Sequence, residues 1–313
     1  MLWPRKHRRL VSAAIGVVVL SAAFLLYGYW EAGQLRVVER ELFFEGLPPA
    51  FDGFRIIHLT DLHTSGFGRV ERKLRRLLRE TPADLLVVTG DFKGHLFTPD
   101  ELVHASLDRI FESVSYPWGF VAIPGNHDTT SLCYGLADRG RFTCLLRTSL
   151  LLEWQGQRLL LLGLATTRPN DGGRGEHEIY EATWVGGVTV RGAPWGLLPD
   201  TPARPRICDE LADGKAFRVL LAHTPDAIEA AKAAGIDLVL AGDTHGGQVW
   251  LPFNAVLLFK PRLIRTHARG HFTEGRTQMY VSPGVGTLGI GIRFLCPPEV
   301  SVLTLRRARD ASR

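Results

Sequence analysis

The sequence predicts an α/β fold preceded by one N-terminal transmembrane helix, and three observations carry that expectation. Short apolar runs recur along the chain, each closing on turn or polar residues. Helical apolar stripes stand between the first of them, and strands alternating with helices build an α/β core. At the N-terminus, Leu10 to Trp30 carries no charged side chain, which meets the ~20 apolar residues that cross a bilayer as one helix.

The anchor comes first. Arg5, Lys6, Arg8 and Arg9 precede the apolar run, and Arg36 and Arg40 are the only basic residues soon after it. That bias places the N-terminus in the cytoplasm and the remainder across the membrane. Tyr27, Tyr29 and Trp30 then lie at the far interface. A cleaved signal peptide and an export signal built on the Arg8–Arg9 pair are the competing readings. No small-x-small cleavage site follows the run, so an uncleaved anchor is preferred. The expected organisation is a basic tip and anchor over 1–31, a juxtamembrane segment over 32–50, one catalytic domain over 51–307 and a tail over 308–313.

Strands are expected at Phe54–Leu59 before TDLH, Asp84–Val88 before TGDF, Phe120–Ile123 before PGNHD and Arg158–Leu164 before ATTRPND. Arg218–Ala222 before HTPD, Ile236–Leu240 before AGDTHGG, Met279–Val281 and Val300–Leu305 follow. Val70, Leu74, Leu77 and Leu78 form a helical stripe, and helices open at Thr98-Pro99-Asp100 and Pro225-Asp226. From Arg168 to Asp213 the pattern is turn-rich and suggests β structure.

The chain has 313 residues, 22% of them charged, with a net charge of +5. Much of that surplus sits at the N-terminus and in one helix, so a nucleic-acid partner is not required. Four cysteines without a CxxC pair exclude a zinc ribbon. Cys133 and Cys144 are either a disulfide, if the domain is exported, or buried thiols.

Each cluster of Asp, His and Asn falls where an apolar strand ends, and ligand sites of α/β sheets form outside the carboxyl ends of strands. Asp61 and His63 stand two apart, pointing the same way if the strand continues. Gly90-Asp91, Gly125-Asn126-His127-Asp128, His223 and the pair Asp243/His245 complete the set. Carboxylate, imidazole and amide ligands without thiolate suit Mn²⁺, Mg²⁺, Fe²⁺ or Zn²⁺. The groups are too many for one ion and suit two that share a carboxylate, a pair able to clamp both oxygens of a phosphoryl displacement.

These motifs resemble those of the calcineurin-like metallophosphoesterases: D-x-H, G-D-x-x-D, G-N-H-D/E, a later His and G-H-x-H. The likeness is nearest to the membrane-anchored or exported branch of YkuE- and YaeI-like phosphodiesterases. Outside the metal motifs it rests on FDGFRIIHLTDLH (51–63), THGGQVWLP (244–252), YVSPGVGT (280–287) and RFLCPPEVSVLTL (293–305). The resemblance implies a four-layer α/β/β/α sandwich, two mixed sheets flanked by helices. It implies Asp61, His63 and His245 on a first metal, Asp91 bridging, and Asn126, His223 and Asp243 on a second. His127 is then the acid beside the leaving oxygen, and an ion-activated water is the nucleophile.

Two positions depart from the family pattern. Asp243 stands where a His is usual, which favours Mn²⁺ among the divalent ions. Gly94 replaces the last Asp of GDxxD, which leaves His127 without its usual orienting partner. Lys93 and His95 share that loop and are either phosphate contacts or solvated loop residues. Gly246 and Gly247 are expected to turn the chain and leave space for substrate. AVLLFKPRLIRTHARG (255–270) interleaves apolar and basic residues, and either dips into an anionic membrane or forms core and basic loop. The expected activity is hydrolysis of phosphodiester or pyrophosphate bonds in a lipid-linked or envelope substrate. A UDP-2,3-diacylglucosamine pyrophosphatase of lipid A biosynthesis is the specific alternative, and a catalytically impaired metal-binding scaffold is the alternative of another class. Nucleic acid is not an expected partner, because the sequence shows no aromatic-basic pattern of the kind that stacks bases.

Overall fold

The computed structural model describes residues 5–95, 97–146, 148–164, 216–251, 255–256 and 267–308. Five helices and fourteen strands occur among them: α1 (Arg5–Ala32), β1 (Arg36–Phe44), β2 (Arg55–Leu59), α2 (Arg69–Glu80), β3 (Leu85–Thr89), α3 (Asp100–Ile110), β4 (Phe120–Ile123), α4 (Thr130–Asp138), β5 (Thr143–Cys144), β6 (Ser149–Trp154), β7 (Gln157–Leu164), β8 (Phe217–Ala222), α5 (Ile228–Ala233), β9 (Leu238–Ala241), β10 (Trp250–Leu251), β11 (Ala255–Val256), β12 (Gly270–Glu274), β13 (Thr277–Val281) and β14 (Glu299–Arg307). The turn-rich stretch from Arg168 to Asp213, Cys208 and most of 255–270 lie outside the described residues.

Two six-stranded sheets, ordered β1-β14-β2-β3-β4-β5 and β12-β13-β9-β8-β7-β6, form the body. Both are mixed. In the first, β14 runs antiparallel to β2 while β2, β3, β4 and β5 are parallel. In the second, β12 and β6 are antiparallel edges on the parallel set β13-β9-β8-β7. The period-2 alternation of strands decides the layers. Ile56, Leu85, Val87 and Val121 of the first sheet meet Leu161, Val219, Leu221 and Leu240 of the second in a central core. Their neighbours Ile57, Leu86, Val88 and Ala122 face outward onto Leu74 and Leu78 of α2, Leu107 of α3 and Leu132 of α4. Leu220, Val239 and Met279 cover Ile228 and Ala231 of α5. The result is the expected four-layer sandwich. β1, from the segment expected as juxtamembrane, pairs along its whole length with β14.

Cys133 and Cys144 are free thiols. They lie against each other, and the Cys144 contact and burial push the Cys133 thiol up.

Candidate metal centre

The site forms where β2, β3, β4, β8 and β9 end. Asp61 and His63 follow β2 but do not continue it: their φ angles are 51° and 43°. The expectation that they share a face by strand alternation is therefore corrected. A left-handed turn converges them, and Asp and His enter that region more readily than most residues. Asp91 (φ 57°), Asp243 (φ 64°) and His245 (φ 50°) adopt the same conformation. Such backbone is held by its surroundings. The Asp61, His63 and Thr64 N–H groups donate to the carbonyls of Gly90, Asp91 and Phe92 at 2.9, 3.0 and 2.8 Å, zipping two site loops together.

Tautomers are set by backbone carbonyls. His63 Nδ1 lies 2.8 Å from the Lys93 carbonyl and His223 Nδ1 lies 2.8 Å from that of Thr89. Only an N–H pairs with a carbonyl, so both rings point an Nε2 into the site. Asp61 Oδ2 accepts from Thr60 Oγ1 (2.9 Å) and the Asp243 N–H (3.0 Å). Its Oδ1 has no hydrogen-bond donor and faces His245 Nε2 at 3.4 Å. Asp91 Oδ1 accepts from the His127 N–H at 2.8 Å. Asp91 Oδ2 is the hub, 3.5 Å from His63 Nε2, 3.4 Å from His223 Nε2 and 4.0 Å from His127 Nε2. His223 Nε2 also lies 3.5 Å from Asp243 Oδ1, and His63 Nε2 3.1 Å from His245 Nε2.

These spacings fit divalent ions. Ligand atoms about 2.1 Å from one ion stand roughly 3.0–3.4 Å apart at octahedral or tetrahedral angles. Three overlapping groups place their ligand atoms within 4.8 Å of one another, close enough to shift onto an ion: Asp61/His63/His245, Asp61/Asp91/His223 and His63/Asp91/His127. Asp91 belongs to two of them. Asn126 follows Gly125, where a Cβ would stand 2.2 Å from Asp91 Oδ1, and its own buried Oδ1 has no hydrogen-bond donor.

Electrostatics point the same way. Burial, then Asp91 and Asp243, push the Asp61 carboxyl up to about 7. Against its own burial, Asp91 is held well below the carboxylate range by His223, His63 and His127. Burial opposes charge on His223, but Asp91, Asp243 and Asp61 outweigh it and raise this imidazole well above its ordinary value. Burial keeps His63 and His245 neutral, as metal ligation requires. The three buried carboxylates draw His223 toward its charged form, a compensation that a bound cation would take over.

Two supporting residues received no role of their own from the sequence. Asp128, buried, accepts from the Phe92, Lys93 and Gly125 N–H groups at 2.9, 3.1 and 2.9 Å, clamping the Asp91 loop to the Asn126 loop. Its signal was the last letter of GNHD. Arg293, also fully buried, donates to the carbonyls of His245, Pro283, Gly284 and Gly286. It opens the stretch RFLCPPEVSVLTL (293–305), whose resemblance assigned the arginine no role.

The two departures acquire physical reasons. At Gly94 a Cβ would meet Ser65 Oγ at 2.0 Å and the His63 carbonyl at 2.9 Å, so no acidic side chain fits there. Asp243 aims its carboxylate at His223, where a ligand is expected. Lys93 is neither a phosphate contact nor solvated: it is buried and paired at 2.6 Å with Asp100. His95 is exposed. Gly246 does turn the chain (φ 59°), but its missing side chain makes room for Cys296 Sγ and Pro283 Cβ, both 2.8 Å from a Cβ there, and not for substrate. Among the site histidines His127 has the most exposed side chain, at 17%.

Comparison with known proteins resolves the class. The family model described as calcineurin-like phosphoesterase matches residues 54–247, a span that contains every ligand named above. The chain belongs to the calcineurin-like phosphoesterase family. It is accordingly a phosphoester-hydrolysing enzyme of a family that works with two divalent ions. The metallophosphoesterase YkuE of Bacillus subtilis is 27% identical over 300 residues, 94% of this chain and 93% of that protein. The phosphodiesterase YaeI of Escherichia coli is 24% identical over 310 residues, 96% of this chain and 98% of its own. A Danio rerio transmembrane protein with metallophosphoesterase domain is 26% identical over 314 residues, covering 93% of this chain and 62% of that protein. Here the helix Lys6–Ala32 is long and apolar enough to cross a membrane.

Proposed function

We propose that this chain is a single-pass membrane enzyme that hydrolyses a phosphodiester or pyrophosphate bond of a lipid-linked or envelope substrate. The observation that carries the reading is the convergence of Asp61, His63, Asp91, His223, Asp243 and His245 on a common centre, with Asp91 Oδ2 at its middle. Asp61, His63 and His245 would hold one ion, Asn126, His223 and Asp243 the other, with Asp91 shared. When bound, the ions polarise phosphoryl oxygens and supply a nucleophile at neutral pH. His127, the most exposed histidine of the site, hands its proton to the leaving oxygen. Its backbone is fixed by the bond from its N–H to Asp91 Oδ1. Asp243 as an oxygen ligand supports Mn²⁺ in the second position. The name of YaeI supports a diester substrate, and the flanking charges of α1 support an N-terminus in the cytoplasm with the catalytic domain outside.

The test uses the full chain in lipid nanodiscs, stripped and reloaded with Mn²⁺, Mg²⁺ or Zn²⁺. An aryl phosphodiester is compared with the matching monoester. Metal-dependent diester hydrolysis is expected, abolished in Asp91→Asn and reduced ~10²–10⁴-fold in His127→Ala. A folded, metal-loaded chain inert toward both esters and toward UDP-2,3-diacylglucosamine would establish the scaffold instead.

A further inference from the structure

We infer that residues 287–296, together with the last two turns of α1, form a face seated in the bilayer, and that this face holds the metal centre at headgroup depth over a membrane-borne phosphoester. The inference rests on the phosphoesterase reading and adds the substrate's physical state.

The segment TLGIGIRFLC carries it. Gly289 (φ 71°) and Gly291 (φ 68°) bracket Ile290, a turn that leaves Ile290 68% exposed. Leu295 is 51% exposed in a left-handed conformation (φ 53°) that a branched residue adopts only under constraint. The constraints are visible: its N–H donates to Glu31 Oε2 at 2.7 Å and its carbonyl accepts from Arg269 at 3.3 Å. Two apolar side chains are thus held outward by a loop built for that presentation, not scattered by chance.

The helix sets the depth. Phe294 packs its ring on Phe24 (4.8 Å) and Tyr27 (5.2 Å), and the Arg293 N–H donates to the Gly28 carbonyl at 3.0 Å. Gly28 has no side chain to keep the loop away: a Cβ there would stand 2.9 Å from Ile292 Cβ. Phe24 lies six residues before Trp30, or about 9 Å along the helix axis. If Leu10–Trp30 spans the hydrocarbon, a loop touching Phe24 is already below the interface. Arg69, stacked on Tyr29 at 4.6 Å and bonded to its carbonyl at 2.8 Å, sits where anionic headgroups lie.

The same loop reaches the metal ligands. Phe294 exchanges backbone bonds with Gln248 (3.0 Å) and Trp250 (2.9 Å), directly after the His245 turn. Arg293 joins the two ends of the path, its N–H on the membrane helix and its guanidinium on the carbonyl of His245 (3.4 Å). Among the described residues the anchor and the site are joined by these direct contacts, which hold the centre at the surface.

Full-length chain in nanodiscs doped with a phospholipid carrying an acyl-chain diazirine is irradiated and the adducts are mapped by mass spectrometry. Adducts are expected on residues 287–296 as well as on α1. Ile290→Asp with Leu295→Asn, the latter a residue that accepts the left-handed backbone, should remove the loop adducts. That double variant should bind Mn²⁺ and cleave the soluble aryl phosphodiester as the parent does, while losing at least ~10-fold toward a nitrophenyl phosphodiester lipid in the same disc, on the scale of an effective-concentration gain. Adducts confined to α1 overturn the seating. Equal losses on soluble and membrane-borne diesters, or no loss on either, overturn the substrate assignment. If neither diester is cleaved by the parent, it is the phosphoesterase reading that fails, while the adduct map still decides the seating.

Discussion

Asp61, His63, Asp91, Asp243 and His245 all reach the candidate centre from left-handed backbone, so the glycines beside them do as much as the converging side chains. At Gly242 a Cβ would stand 2.1 Å from Thr60 Oγ1 and 2.6 Å from Asp61 Oδ2. Gly242→Ala is expected to displace the Asp61 carboxylate and weaken metal binding by more than ~10-fold, the scale of a disturbed supporting contact, as read by competition with a chelating dye. Asp243→Ala should leave one tight ion per chain where the parent holds two, as counted by elemental analysis after gel filtration. An unchanged count of two would remove Asp243 from the ligand set. Which residues converge was legible because chemistry-bearing residues cluster at strand ends. Their geometry was not, since a dipeptide spacing such as DxH does not distinguish a continuing strand from a left-handed turn.

The strands and helices were legible for a related reason: continuous apolar runs such as Leu85–Val88 admit few alternatives once both faces must be covered. β1 was missed because its exposure pattern leaves only Leu42 and Phe44 buried. An edge strand gains its place from pairing, here with β14, more than from its own apolar pattern. β2 carries an anomaly of its own. His58 is fully buried with Nε2 2.8 Å from Thr89 Oγ1, and burial lowers its pKa to about 3. Its folded value lies below its unfolded one, so the stability it contributes is complete above pH 6.5 and is lost as pH falls toward 3, by about 1.4 kcal/mol per pH unit. The stability difference between the parent and His58→Gln, measured by urea unfolding at several pH values, should therefore shrink from pH 7 to pH 4.5. Parallel curves would show that His58 does not titrate in this way.

At the scale of the molecule, the two sheets press their carboxyl ends onto one acidic cluster while the central core behind it is built mainly of apolar side chains, His58 and Thr89 being buried polar exceptions. Asp61, Asp91, Asp128 and Asp243 are all buried there. Chelation should lower the melting temperature by several degrees, because each ion held at ~1,000 times its Kd contributes about 4 kcal/mol to the folded state. The docking of α1 on the 287–296 loop makes this apolar helix part of the architecture, a relation invisible in sequence because its two partners lie far apart along the chain. What decides the whole is the ion count and its dependence on Asp91. Titration of the stripped, full-length chain with Mn²⁺ in nanodiscs should saturate at two ions, and Asp91→Asn, which weakens the residue shared between them, should lose both tight sites together. Saturation at one ion, or an Asp91→Asn variant that keeps two, would contradict a dinuclear centre built around that carboxylate.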